Sequence, residues 1–512
     1  MLSKVYAAAV QGIDAISVTI EVSCTKGFQF FLVGLPDNAV KESHQRILSA
    51  MQSTGFRLPV SKIVINMAPA DIRKEGSAYD LPIAIGLLAA SEQLPTEHLA
   101  HYLIMGELSL DGSLQPIKGA LPISILAREM GYEGLIVPKQ NAREAAVVNN
   151  LHVYGAETLE EVVNHLNGTR LMDPVIVNTR EEFYAQQSHF DFDFADVKGQ
   201  ENVKRALEVA AAGGHNIILI GSPGSGKSML SKRLPSILPP LSLGESLETT
   251  KIHSVAGKIN SNGGLISRRP FRSPHHTVSN VAMTGGGSYP QPGEISLAHN
   301  GVLFLDELAE FKRDVLEVLR QPLEDRKISI SRVKYNVDYP ASFMLVASMN
   351  PCPCGYYNHP VKRCVCSPGQ VQHYLNRISG PLMDRIDIHV EVTPVSFDKM
   401  AESRTGESSA VIRERVVRAR RVQEERYSNE QNIYCNAQMN ARLLDRYAQL
   451  EASGLELLKN AMNRLNLSAR AYDRILKVAR TIADLDGSEQ IQSHHLSEAI
   501  GYRNLDREDW AG

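Results

Sequence analysis

Cysteine is scarce in this chain, with six among 512 residues, and tryptophan occurs once. So few thiols exclude a disulfide-stapled secreted scaffold, which needs cysteine pairs distributed through its loops. Long apolar runs are missing too. The stretch MLSKVYAAAVQGIDAISVTIEV is interrupted by Gln11 and Asp14 before a signal-length apolar region forms. Nothing approaches the ~20 apolar residues of a membrane span. The expectation is a cytoplasmic protein with no membrane partner. Surplus positive charge is also lacking: a net charge of −3 rules out a globally basic nucleic-acid binder. Any DNA contact must come from local patches or from an assembly that gathers them. At 43 % hydrophobic residues, the chain can bury several cores, and ~100–200 residues per domain suggests about three domains.

The pattern of segments predicts an α/β multidomain protein. Residues 1–172 alternate β-like runs such as SKIVINMAP with helical ones such as PISILAREMGY, an α+β arrangement. Residues 173–196 are polar and read as a linker that docks through Phe190, Phe192 and Phe194. Over 197–395 the apolar runs NIILIGSPGSGKS, GVLFLDE, SFMLVASMNP and RIDIHVEV recur between helices, the rhythm of a parallel sheet with crossover helices. Over 396–512 the strands stop and amphipathic helices take over, a helical lid.

The segment GSPGSGKS comprises Gly221, Ser222, Pro223, Gly224, Ser225, Gly226, Lys227 and Ser228. It follows an apolar strand and opens a helix, the context a phosphate-binding loop requires. Backbone N–H groups and the helix N-terminus cradle phosphates, Lys227 reaches the β/γ oxygens, and Ser228 ligates Mg²⁺. GVLFLDE ends in Asp306, suited to hold the metal, and Glu307, suited to polarise an attacking water. ATP and Mg²⁺ are the expected cofactors. Asn350 in ASMNP can orient water or the γ-phosphate, or can simply make an Asn-Pro turn. Arg385, Arg470 and Arg474 are candidates to stabilise phosphate charge, in a neighbour or in the same subunit, against the plain alternative of solvated arginines.

Four of the six cysteines, Cys352, Cys354, Cys364 and Cys366, form the pattern CxCx9CxC. Four thiolates satisfy a tetrahedral structural Zn²⁺, with His359 as a substitute ligand; the alternative is a set of reduced loop thiols. Cys24 and Cys435 stand alone and read as small buried residues.

Taken together, RPFRSPHHTVSNVAMTGGG, PGEISLAHNGVLFLDELAEF, LRQPLEDRKISISR, SMNPCPCGYY and SGPLMDRIDIHVEV resemble the ComM/YifB group of magnesium-chelatase-like AAA+ ATPases over essentially the whole chain. The resemblance implies a homohexameric ring with ATP between subunits. It also implies Asn350 as sensor 1, Arg385 as the finger reaching a neighbour, and Arg470 as the better candidate than Arg474 for sensor 2. Its implied activity is a DNA motor for branch migration in natural transformation and recombination, acting on single-stranded or branched DNA, with a recombinase as an expected partner. A hairpin over EDRKISISRVKYNVDYPASF would carry Arg326, Lys327, Arg332 and Lys334 to a pore, and RRPFRSPHHTVSN would add Arg268, Arg269, Arg272, His275 and His276. The arginine-rich helix Arg413–Arg426 reads instead as a solvated lid surface. The N-terminal half resembles the proteolytic domain of Lon. Ala78 and Leu121 stand where its serine and lysine would be, so a non-proteolytic scaffold is expected. A one-residue offset making Ser77 the nucleophile with Lys118 is the lesser alternative. A chelatase-type remodeller and an ATP-dependent protease are the competing functions.

Overall fold

The computed structural model describes residues 2–59, 61–187, 190–259, 263–287, 290–332, 335–359, 361–395, 406–465 and 467–503. Strands Leu2–Gln11 and Asp14–Thr25 form an antiparallel hairpin that starts a seven-stranded mixed sheet. Lys62–Ala68 adds antiparallel to the hairpin, and Tyr102–Ile104, Gly134–Pro138 and His152–Ala156 add in parallel on its other side. Helix Asp80–Ala90 is buried at every residue; after Asp80, which pairs with Arg46, no polar side chain follows, so the helix can be enclosed on all sides. Gly86 sits where a Cβ would lie 2.6 Å from a Val22 methyl, so the helix packs close against the hairpin.

A second, wholly parallel sheet runs in the order Phe271–Arg272, Val302–Leu305, Met344–Met349, Ile217–Gly221, Ile388–Val392. Its central strands are buried on both faces, which is why they read as unbroken apolar runs. Period-two alternation splits them between two cores. Ile217, Leu219, Phe304 and Val346 face one; Ile218, Ile220, Leu305 and Ala347 face the other. Helices Ser409–Arg426 and Ala469–Leu485 close over the first face and contribute Ile412, Val416, Ile475 and Ile482 to that same core. The segment before this sheet holds helix Thr179–Gln186, with Phe194 buried and Phe190 and Phe192 under the guanidinium groups of Arg413 and Arg233.

Helix Ser409–Arg426 keeps the expected solvated face at Glu414, Arg418, Arg421, Glu424 and Glu425, but its other arginines turn to the fold. Arg420 donates to the carbonyls of Ala211 and Ala212 at the C-terminal end of helix Glu201–Gly213, Arg415 pairs with Glu208 and Glu407, and Arg426 grips Asp484 at 2.6 Å. Guanidinium forks satisfy the free carbonyls and carboxylates of the elements beneath, so periodicity of charge did not mean exposure.

The two halves of the chain meet through helix Ala120–Glu129. Leu121, with Val147 and Val148, packs on Leu247 and Leu265, and the Gly119 N–H donates to Ser254 O at 3.1 Å. Glu144 accepts from the Leu121 N–H and from the Ser254 hydroxyl, and burial holds its pKa up.

Arg474, on helix Ala469–Leu485, donates at 2.8 Å to Asp387, which leads into strand Ile388–Val392 and also accepts from His215. Burial alone would raise the Asp387 pKa, but the Arg474 charge and the His215 bond outweigh it and hold the carboxyl far below its ordinary range. Asp387→Asn should therefore destabilise by about 3–5 kcal/mol, as expected for one half of a buried pair. The carboxylate's contribution is present in full above its unfolded pKa of ~3.9 and is lost as pH falls from there through the depressed folded value. Thermal unfolding should show a lower midpoint for the variant at neutral pH and a gap from wild type that narrows as pH drops below about 4.

Candidate nucleotide site and cysteine loop

Strand register assembles the site. Ile220 stands opposite Met349 and Leu305 opposite Ala347. The residues that follow, Gly221, Asn350, Asp306 and Ser348, thus collect at the C-terminal edge of the sheet, where parallel sheets bind ligands.

The loop from Gly221 to Gly226 opens helix Lys227–Arg233 at this edge, and Pro235 turns the helix into a short 3₁₀ segment. Gly224 and Gly226 adopt φ of +78° and +94°, a region that favours glycine. Gly221 is required for space, since a Cβ there would lie 2.3 Å from Val392 O. Lys227 folds into its own loop, donating to Gly221 O at 2.6 Å, Ser222 O at 2.9 Å and Asn350 Oδ1 at 3.2 Å. Burial pushes its pKa down, and the carboxylates of Asp306 and Glu307 oppose the shift. The buried hydroxyls of Ser222 and Ser225 have no hydrogen-bond partner among the described residues. Orphaned donors beside a glycine-shaped cradle fit a phosphate.

Ser228 Oγ donates to Asp306 Oδ2 at 2.6 Å, while Oδ1 accepts from the Ser348 hydroxyl and, at 3.1 Å, from the Glu307 N–H. Two adjacent hard oxygens, from Ser228 and Asp306, fit a Mg²⁺. Ser348 was missed from the sequence; two residues before Asn350, it shares that residue's strand face. Glu307 takes the left-handed conformation at φ +54°, which turns its half-exposed carboxylate towards His276 Nδ1 at 3.5 Å.

The structure thus brings together Lys227, Ser228, Asp306, Glu307 and Asn350. The candidate arginines bond elsewhere within the chain. Arg385 pairs with Glu324, Arg470 lies 3.5 Å from Asp384 with an exposed side chain, and Arg474 is locked into the Asp387 network. Several proposed DNA contacts are engaged internally. Arg326 donates to Asn432 O, Lys327 pairs with Asp338, Arg269 with Glu245, and Arg272 with Glu294. Arg332 ends strand Lys327–Arg332 opposite Tyr335, and Lys334 lies outside the described residues.

The four clustered thiols converge. Cys352 Sγ lies 3.4 Å from Cys354 Sγ and 3.7 Å from Cys364 Sγ, and all four sulfurs fall within 4.8 Å of one another. Tetrahedral Zn²⁺ with bonds of ~2.3 Å sets sulfurs ~3.8 Å apart, so the set fits that ion. Burial resists ionisation of Cys354, but backbone N–H groups of Val365 and Tyr356 outweigh it and bring the thiol down to about 6. His359 instead accepts the N–H groups of Val361 and Lys362. Next to the thiols, Gly355 at φ +82° lies against the phosphate loop: a Cβ there would be 2.4 Å from Pro223 Cδ. A second grouping, Asp486, His494 and His495, differs in kind. His495 Nδ1 accepts the Gln492 N–H, which leaves the proton on Nε2 facing Asp486, so that nitrogen is a donor and not a ligand.

Profiles described as "Magnesium chelatase, subunit ChlI", "Subunit ChlI of Mg-chelatase" and "Magnesium chelatase, subunit ChlI C-terminal" match residues 193–400, 20–141 and 406–503. Competence protein ComM of Haemophilus influenzae is 45 % identical over 99 % of this chain and 98 % of its own length. YifB of Escherichia coli is 44 % identical over 99 % and 98 %. The magnesium-chelatase 38 kDa subunit of Rhodobacter capsulatus is 25 % identical over 31 % of this chain and 50 % of its own.

Gly355→Val should strain the left-handed turn and drive a methyl into Pro223. We expect nucleotide affinity to fall about tenfold in a fluorescent-nucleotide titration, with stability reduced by about 1–3 kcal/mol.

Proposed function

Because the chain belongs to the ComM/YifB group of magnesium-chelatase-like AAA+ ATPases, we propose that it is an ATP-driven DNA motor, a hexameric ring that drives branch migration during recombination and natural transformation. Full-length similarity to a competence protein is the observation that carries this reading. The chelatase reading draws on the family profiles, yet the chelatase subunit aligns with only 31 % of the chain.

In this reading the phosphates lie in the Gly221–Ser228 loop, and Lys227 exchanges its carbonyl partners for phosphate oxygens. Ser228 and Asp306 hold Mg²⁺, which neutralises phosphate charge when bound. Glu307 polarises the attacking water, and Asn350, bonded to Lys227, registers the γ-phosphate. Arg385 acts on the neighbouring subunit's nucleotide, and Arg470, the more exposed of the two lid arginines, couples the lid to nucleotide state. Arg332 and Lys334 from six hairpins form the DNA collar. The N-terminal part is a Lon-like scaffold without protease chemistry. Its Ser77 donates to Glu107, the Lys118 stem lies against Gly257, and Leu121 is enclosed between domains. Zn²⁺ on Cys352, Cys354, Cys364 and Cys366 props the loop that rests on Pro223.

The test is ATP turnover with and without single-stranded or branched DNA. DNA should raise turnover, Lys227→Ala should abolish nucleotide binding, and Glu307→Gln should abolish turnover while ATP stays bound. Absence of any DNA response would refute the motor reading. Reversing Arg332 and Lys334 to glutamate should lower the log–log salt slope of duplex binding by ~0.9 for each phosphate that is no longer neutralised. Elemental analysis should find one zinc per chain, absent after Cys352→Ser with Cys354→Ser, together with a lower unfolding midpoint.

A further inference from the structure

Arg385 is anchored at its backbone and parked at its tip. Its carbonyl accepts from Asn216 Nδ2 at 2.9 Å, and Asn216 Oδ1 takes the Leu345 N–H at 2.8 Å, so the main chain is tied into the parallel sheet. The side chain is 8 % exposed. Nη2 pairs with Glu324, Nη1 donates to Pro381 O, and Nε is buried with no hydrogen-bond partner among the described residues. A guanidinium with an unmet buried donor has not found its best-satisfied position. Beside it opens a cavity of about 610 Å³, lined by Arg385, Glu324, Arg320 and the hairpin residues Ile328 to Ser331.

Glu324 is joined rigidly to that hairpin. It lies in helix Arg320–Asp325, which passes through Arg326 at φ +55° straight into strand Lys327–Arg332. The Arg326 N–H donates to Pro322 O at 3.0 Å and its carbonyl accepts from Ala341 N at 2.8 Å, so the turn is clamped to the helix on one side and to the end of the hairpin on the other. Displacing the hairpin must carry Glu324 with it. Its carboxylate is 52 % exposed and rehydrates readily once released.

We propose that Glu324 is a latch: it holds the Arg385 guanidinium back from the neighbouring subunit's nucleotide until DNA on the hairpin shifts the helix and lets the arginine swing out. The latch rests on the proposed function in which Arg385 acts across the interface and the hairpin meets DNA. It makes Glu324 a positioning residue, and the coupling between DNA and ATP a single ion pair at the base of the hairpin.

The experiment measures ATP turnover of the full chain, with and without saturating single-stranded DNA, for wild type, Glu324→Gln, Arg385→Ala and the double variant. Glu324→Gln should raise DNA-free turnover about fivefold, the scale of one partly exposed ion pair, and leave the DNA-saturated rate unchanged. The double variant should be as inactive as Arg385→Ala. A Glu324→Gln protein with wild-type rates in both conditions overturns the latch, as does a fall to the Arg385→Ala level, or a gain that survives in the double variant. If Arg385→Ala itself keeps wild-type DNA-stimulated turnover, the interface role of the arginine fails and the latch with it; an inactive Arg385→Ala beside an unaltered Glu324→Gln removes the latch alone.

Discussion

Parallel strand register is the constraint on which the rest of the structure depends. Ile217–Gly221 lies between Met344–Met349 and Ile388–Val392, and Val302–Leu305 lies one strand further out. That order delivers a glycine loop, an acidic pair and an amide to one edge, bringing Lys227 to Asn350 across 123 residues of chain. Hydrogen bonds then complete the arrangement: Lys227 meets Asn350, and Asp306 meets both Ser228 and Ser348. A slip of one residue would break every one of these pairings and turn each strand's core face the other way.

Two outer elements pack around this sheet, one at the phosphate-loop edge and one beside the start of strand Val302–Leu305. The cysteine loop reaches it through Gly355 against Pro223, so whatever orders the loop also orders the phosphate cradle. The N-terminal domain contacts helix Leu243–Val255 through Leu121, Gly119 and Glu144. Leu121 is buried in this contact with Val147 and Val148 against Leu247 and Leu265, where an apolar side chain seals the junction without a charge to desolvate.

Arginines divide into two kinds. Arg269, Arg420, Arg426 and Arg474 are bonded to carbonyls or carboxylates of neighbouring elements and hold parts of the fold together. Arg385 is buried yet incompletely bonded, and the residue that holds it leads into the hairpin. Charge alone did not separate these classes, because a guanidinium reads the same in sequence whether it meets water, a helix end or a buried carboxylate.

What the sequence by itself determined was local and periodic: apolar runs that had to be buried parallel strands, the glycines of the phosphate loop, the acidic pair after GVLFL, and four thiols spaced closely enough to converge. Each depends on neighbours a few residues away, so its signal survives in one dimension. Ser348 under Asp306, Glu324 on Arg385, Gly355 against Pro223 and Leu121 between domains were decided only by tertiary structure. Their partners lie tens to more than a hundred residues distant, and no propensity or spacing encodes which distant surface a side chain will meet once strand order and helix packing have been set.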